Sequence, residues 1–206
     1  MSEKFWDKIA NKYSQQKVAD PGAYEKKLSI TQQYFTPESN VLEFACGTGS
    51  TAIIHAPFVR SILATDISSN MIEIAKEKLR SNNIDNIQFK KCSIEEIDVA
   101  DESLDVVMAH SILHLVNNPD DVIRIAHSKL KQNGFFVTST VCMGDSFFYS
   151  VMARLISLAS ILGVLPRLQV LSSKGLARRM EELGFEIDYQ WRPTKNGSIF
   201  IIAKKV

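Results

Sequence analysis

The stretch Val41-Leu42-Glu43-Phe44-Ala45-Cys46-Gly47-Thr48-Gly49-Ser50 decides the fold. An apolar run of buried-strand character ends in a turn of small residues with two glycines. The next apolar run, Ser61-Ile62-Leu63-Ala64-Thr65-Asp66, closes on a carboxylate. Strand, glycine turn, helix and a second strand ending in an acid together make a nucleotide-binding half-fold. The glycines allow φ > 0 and a close backbone approach to a ligand. The acid can accept hydrogen bonds from both hydroxyls of a ribose.

Outward from that stretch, residues 3–14 read as a short amphipathic helix with Phe5, Trp6, Ile9 and Tyr13 at helical spacing. Residues 22–35 read as a second helix, stopped before Thr36-Pro37. The first strand is expected at about 40–44, with a helix after the glycine turn that ends near Pro57, and the second strand at about 61–66. Ser68-Ser69-Asn70 should cap a helix of about 70–81, with Met71, Ile74, Ala75 and Leu79 as its apolar stripe. Strands follow at about 86–91 and 104–109. A helix of about 119–131 starts at Pro119, and Asn133-Gly134 turns the chain into a fifth strand, Phe135 to Val141. Beyond it come a long apolar helix at 146–165 and a shorter polar one at 173–182. Two last strands, about 184–191 and 197–204, are joined by an Asn196-Gly197 hairpin signal. Alternating strand and helix imply a parallel sheet covered on both faces, and the hairpin adds antiparallel pairing at one edge.

The 206 residues suit one α/β domain, and 45% apolar content is that of a folded globular chain. A net charge of +1 provides no global field for nucleic acid or acidic membrane. Cys46, Cys92 and Cys142 lack metal-ligand spacing and read as reduced thiols, which points to a cytoplasmic protein; no metal is expected. The N-terminus carries no visible secretory signal.

The glycine turn supports two readings. Gly47-Thr48-Gly49-Ser50-Thr51-Ala52 fits the dinucleotide fingerprint, with Asp66 at a suitable distance, which suggests a nicotinamide-dependent oxidoreductase. The same segment also fits an acid-small-glycine pattern, Glu43-x-Ala45-x-Gly47-x-Gly49, in which the carboxylate helps to fix the ammonium of a sulfonium amino acid. Five segments in order favour the second reading: Phe5-Trp6-Asp7-Lys8-Ile9-Ala10-Asn11-Lys12-Tyr13; Leu42 to Gly49; Ala64-Thr65-Asp66-Ile67-Ser68; Leu104 to His114; and Leu130 to Phe135. With these the chain resembles the class I S-adenosylmethionine-dependent methyltransferases, small-molecule branch, and within it the quinone-biosynthesis type. The resemblance implies an α/β, Rossmann-like three-layer sandwich with a seven-stranded, mostly parallel sheet and a C-terminal antiparallel hairpin.

By that resemblance Glu43, Ala45, Cys46, Gly47 and Gly49 would hold the methionine end of S-adenosylmethionine, and Asp66 the ribose. Ile67 and Met71 would sandwich the adenine, Ser93 and Ile94 would lie at its edge, and His110 beneath the sulfonium. Ala45 replaces the family's usual glycine, so its backbone is expected to avoid φ > 0. Ser93 replaces a common aspartate, and as a neutral acceptor it should contribute less. The other readings are plainer: Asp66 caps the next turn, Cys46 fills the loop, Asp105 is structural, and His55 and His127 are solvated or pack within helices. His114 is the candidate general base, because imidazole titrates near neutral pH. Tyr13 is the candidate aromatic beside the methyl, acting in catalysis as well as in donor binding.

A single domain over 1–206 is expected, with 1–36 as an N-terminal helical cap and 145–182 as a helical insert that covers the substrate. The apolar 146–165 run also permits a dimer contact or a peripheral membrane contact, whereas Arg154 argues against a span. The expected activity is methyl transfer to a small, apolar or aromatic acceptor, without nucleic acid, by a monomer or homodimer. A non-catalytic protein that binds the same cofactor is the remaining alternative.

Overall fold

The structure, a computed structural model, describes residues 3–159, 168–194 and 197–206. Strands β1 (Asn40–Phe44), β2 (Ser61–Asp66), β3 (Ile87–Lys91), β4 (Leu104–His110), β5 (Leu130–Thr140), β6 (Phe185–Trp191) and β7 (Ile199–Lys205) form one sheet. Its order is β3-β2-β1-β4-β5-β7-β6. The first five strands pair in parallel, and β7 runs antiparallel to both its neighbours.

Sequence accounts for that edge. β7 is buried almost throughout, as an inner strand must be. β6 alternates along Phe185-Glu186-Ile187-Asp188-Tyr189, the pattern of an edge strand with one wet face. A bond from Gly197 N to Thr194 O lies in the connecting turn, whose Lys195 and Asn196 are outside the described residues.

Helices α1 (Glu3–Ser14), α2 (Pro21–Gln32), α3 (Ser50–His55), α4 (Ser69–Arg80), α5 (Pro119–Lys129), α6 (Phe147–Ala159) and α7 (Ser173–Glu182) complete the chain. Their starts are written locally. Asp20 accepts from Ala23 N before Pro21, Ser68 from Met71 N, Asn118 from Asp120 N, and Ser172 from Gly175 N. α2 ends three residues before the expected limit, where residues 33–35 tighten into i→i+3 bonds. The expected turn at Asn133-Gly134 lies inside β5 as an irregularity: pairing passes from Leu104↔Leu130 to Val106↔Phe135, and Asn133 is left-handed at φ 66°. Of the expected 146–165 helix, α6 accounts for the part to Ala159, and 160–167 lie outside the described residues.

Alternate residues of the central strands enter opposite cores. Val107 and Ala109 join Leu42, Phe136 and Leu176 on one face; Val106 and Met108 join Val41, Ile62 and Phe200 on the other. Each such aliphatic side chain contributes about 1.5–3 kcal/mol on burial. Asp105 ties the far end of the sheet, accepting from Asn40 N (2.8 Å) and Lys131 Nζ (2.7 Å), which fits its structural reading. Strand order reverses between β1 and β4, so a crevice opens at their carboxyl ends, where open α/β sheets bind ligands.

Candidate active site

The crevice holds two cavities, of about 450 and 650 Å³. Both are lined by Tyr13, Ala45, Gly47, His110 and Ser111, which therefore form the seam between them. The smaller is also walled by Trp6, Asp66, Ile67, Met71, Ser93, Ile94 and His114. The larger adds Glu43, Cys46, Tyr24, Lys27, His55 and Ser139. Of the sequence candidates only Gly49 reaches neither wall.

Gly49 has a packing role. It precedes α3 at φ 73°, and a Cβ there would stand 2.5 Å from Phe89 Cζ and 2.9 Å from Ala75 Cβ. Gly47, at φ 55°, has room for a Cβ but needs the left-handed backbone. The expectation for Ala45 is overturned: it sits at φ 54°. The turn demands that conformation whichever residue occupies it, so alanine carries strain of about 1–2 kcal/mol. Ser111, across the seam, is also left-handed at φ 57°. Two strained non-glycine residues thus border the place where the cavities join, where functional sites commonly hold such strain.

Asp66 is 8% exposed and joins three segments. Its Oδ2 accepts from Gly47 N and its Oδ1 from Ser68 N, both at 2.9 Å. Burial raises its pKa and those two bonds oppose the shift. The turn-capping reading is therefore observed, and each oxygen keeps a lone pair for a ligand hydroxyl. Ser68 in turn donates to Asp7 Oδ1 at 2.6 Å, and Asn70 N donates to the same oxygen. Asp7 so fastens α1 to the start of α4 and sets Trp6 and Tyr13 against the cavities. No local signal in the sequence marks Asp7 for this, because its partners lie about 60 positions away.

Glu43 is 2% exposed. It takes a hydrogen bond from the Ala52 backbone, and its Oε2 has no partner among the described residues. Burial pushes its pKa up to about 8. A buried carboxyl with an open oxygen suits a ligand ammonium. It suits a diphosphate poorly, since it already occupies one amide at the start of α3. Desolvation holds His110 down to about 3 and His114 to about 4, so both imidazoles are neutral at pH 7. His55 is fully buried, edge-on to Phe35, with neither ring nitrogen bonded among the described residues. Of its two expected settings, solvated or packed, the second is observed. Burial also lifts the Cys46 thiol far above its usual range, which makes it loop filler. Ser93 Oγ bonds Glu96 at 2.9 Å in a capping box and retains acceptor capacity.

The chain is 26% identical over 132 residues to the uncharacterized methyltransferase YcgJ of Bacillus subtilis, covering 64% of this chain and 52% of that protein. It is 27% identical over 115 residues to ribosomal protein L11 methyltransferase of Staphylococcus aureus, covering 55% of this chain and 36% of that one. The chain thus spans about half or less of the curated relatives it matches. The YcgJ crystal structure superposes with a TM-score of 0.71 at 15% identity over 88% of this chain and 98% of that one. The [4+2]-cyclase SpnF superposes at 0.72 with 14% identity, over 93% and 84%. Such distant likeness establishes the fold alone. The sequence profile of a methyltransferase domain matches residues 35–175, and with it the chain belongs to the class I S-adenosylmethionine-dependent methyltransferase family.

Proposed function

We propose that this protein transfers a methyl group from S-adenosylmethionine to a small acceptor with an apolar or aromatic body. The observation that carries the reading is the seam: one cavity holds the Asp66 carboxylate, the other the buried Glu43 carboxyl, whose Oε2 has no partner among the described residues, and five residues border both. Asp66 would hold the ribose, Ile67, Met71, Ser93 and Ile94 the adenine, and Glu43 with residues 45–47 the amino-acid end. When bound, S-adenosylmethionine supplies a methyl on a positively charged sulfur that leaves as a neutral thioether.

The chain's own work is then mainly positional. Tyr13 and Trp6, held down by Asp7, exclude water from the donor side. Tyr24 and Leu28 offer the larger cavity an apolar surface, and Tyr24 Oη bonds Thr51 Oγ1 at 3.1 Å, tying α2 to α3. His114 borders only the smaller cavity, so we place any proton-accepting role on His110 at the seam. Both are weak bases here, which favours a nucleophile that needs little deprotonation.

For the 145–182 insert we propose a cover over the bound acceptor. Its described residues line neither cavity, and Phe147 and Phe148 stand 88% and 70% exposed. No helix among the described residues is long and apolar enough to cross a membrane. Three unpaired, buried cysteines fit a reducing, cytoplasmic setting.

Calorimetric titration tests the central claim. S-adenosylhomocysteine should bind and NADH should not; the reverse result returns the oxidoreductase reading. Tight S-adenosylhomocysteine binding without turnover across a broad acceptor panel would support a non-catalytic binder.

A further inference from the structure

The larger cavity contains a cation without a counter-ion. Lys27 reaches from α2 across the mouth of the sheet, and its Nζ donates to Ser139 Oγ at 3.2 Å. Ser139 Oγ in turn meets Ser198 Oγ at 3.2 Å. Lys27 makes no ion pair and no other side-chain hydrogen bond among the described residues, so two of its three N–H donors are unused. Burial lowers its pKa, the direction expected when a charge loses water without gaining a partner.

The other charged groups of this cavity do not neutralise it. Asp20 raises the Lys27 pKa from a distance, but its carboxylate is exposed and caps α2 through Ala23 N. Glu43 holds its proton at neutral pH, His55 and His110 are neutral, and Lys17 adds a second positive charge. Position separates this cation from the donor. Glu43, Gly47 and Asp66 belong to β1, β2 and the turn after β1, whereas Ser139 is the last residue but one of β5 and Ser198 precedes β7. β4 lies between the two groups, and adjacent strands are about 4.8 Å apart, which sets the Lys27 contact roughly 10 Å from β1.

Resting on the methyltransferase reading, we propose that the acceptor carries a carboxylate and that Lys27, with the Ser139 and Ser198 hydroxyls, binds it. The acceptor is thus an organic acid with an aromatic or apolar body, and Lys27 selects it over neutral analogues. An ammonium that meets a carboxylate in a partly dry cavity makes a charge-assisted bond, whereas the matched amide leaves it unpaired.

The test uses the full chain saturated with S-adenosylhomocysteine. Small aromatic acids are titrated calorimetrically against their primary amides, benzoate with benzamide and indole-3-acetate with indole-3-acetamide among them. At least one acid should bind tenfold or more tighter than its amide. That preference should collapse to within twofold in Lys27→Gln and survive in Lys27→Arg, with S-adenosylhomocysteine affinity changed less than twofold in both. A panel in which no acid outdoes its amide overturns the proposal, as does a preference that persists in Lys27→Gln. A tenfold loss of S-adenosylhomocysteine affinity in Lys27→Gln assigns the carboxylate to the donor and also overturns it. If Lys27→Gln does not fold, the side-chain resonances of Lys27 in wild-type protein decide: a bound acid that leaves them unmoved refutes the contact. Failure of S-adenosylhomocysteine to bind at all removes the underlying methyltransferase reading; binding without acid preference removes only the Lys27 proposal.

Discussion

In the smaller cavity the Asp66 carboxylate already has both oxygens bonded to backbone amides, whereas in the larger one Glu43 Oε2 and both His55 nitrogens have no partner among the described residues. Asp66 is set in place before any ligand arrives, because its bonds also hold the glycine turn and the start of α4 together. Unsatisfied polarity gathers at other groups, Glu43 and His55 on the larger wall and Trp6 Nε1 and His114 Nδ1 on the smaller, and costs about 1–3 kcal/mol per group until something pairs with it. Asp66 and the fold are thus one construction, while the unpartnered groups are destabilising in the free protein. Substitutions should separate the two.

Gly49→Ala should do the most damage. Its Cβ would collide with Phe89 and Ala75 at a left-handed position, so we expect a loss of about 3 kcal/mol or more by urea denaturation, or failure to fold. A wild-type-like midpoint would show that the turn can shift away from Phe89. Asp66→Ala should weaken S-adenosylhomocysteine binding at least tenfold, from charge-assisted bonds of about 1.5–3 kcal/mol. Asp66→Asn, which keeps one acceptor oxygen, should lose less stability yet still bind weakly; unchanged affinity in both takes Asp66 out of the donor site.

Glu43 sharpens the contrast through pH. Its folded pKa of about 8 lies above its ordinary 4.5, so the folded state holds the extra proton in that window. That contribution is complete below about 4.5 and is lost as pH rises to about 8, by up to about 1.4 kcal/mol per unit; above 6.5, where the histidines no longer oppose it, net stability should fall. The neutral histidines act oppositely. His55, His110 and His114 have folded values of about 4, 3 and 4 against 6.5 unfolded, so stability should also fall as pH drops below 6.5. Denaturation across pH should therefore show a maximum near 6.5. Glu43→Gln should flatten the alkaline side and steepen the acid side between about 4.5 and 6.5; an unchanged alkaline slope would mean that this carboxyl is ionised in the free protein. Ala45→Gly should be the mildest change. Relief of the left-handed strain is offset by glycine's entropy, leaving between zero and about 1 kcal/mol of added stability.

The parts that were legible from sequence share one property: their partners lie within a turn or a strand of themselves. Ser68 capping α4 and Asp66 closing β2 are of this kind, and so is the alternation that makes β6 an edge. Ala45 defeated residue-type reasoning because the turn's tertiary bonds, Cys46 N to Thr65 O among them, set its backbone. His114 looked like a base from its place after a strand, yet which cavity it borders depends on the path of residues 111–117. Asp7 and Lys27 carried no local mark at all.

Periodicity, small residues and caps act over a few positions, so the chain alone determined its strands, most of its helices and the glycine turn facing Asp66. Sheet order, the division of the crevice at Tyr13 and the isolation of Lys27 arose only on folding. They depend on which distant groups become neighbours, and on the water those neighbours displace; neither quantity is written in any short stretch of chain.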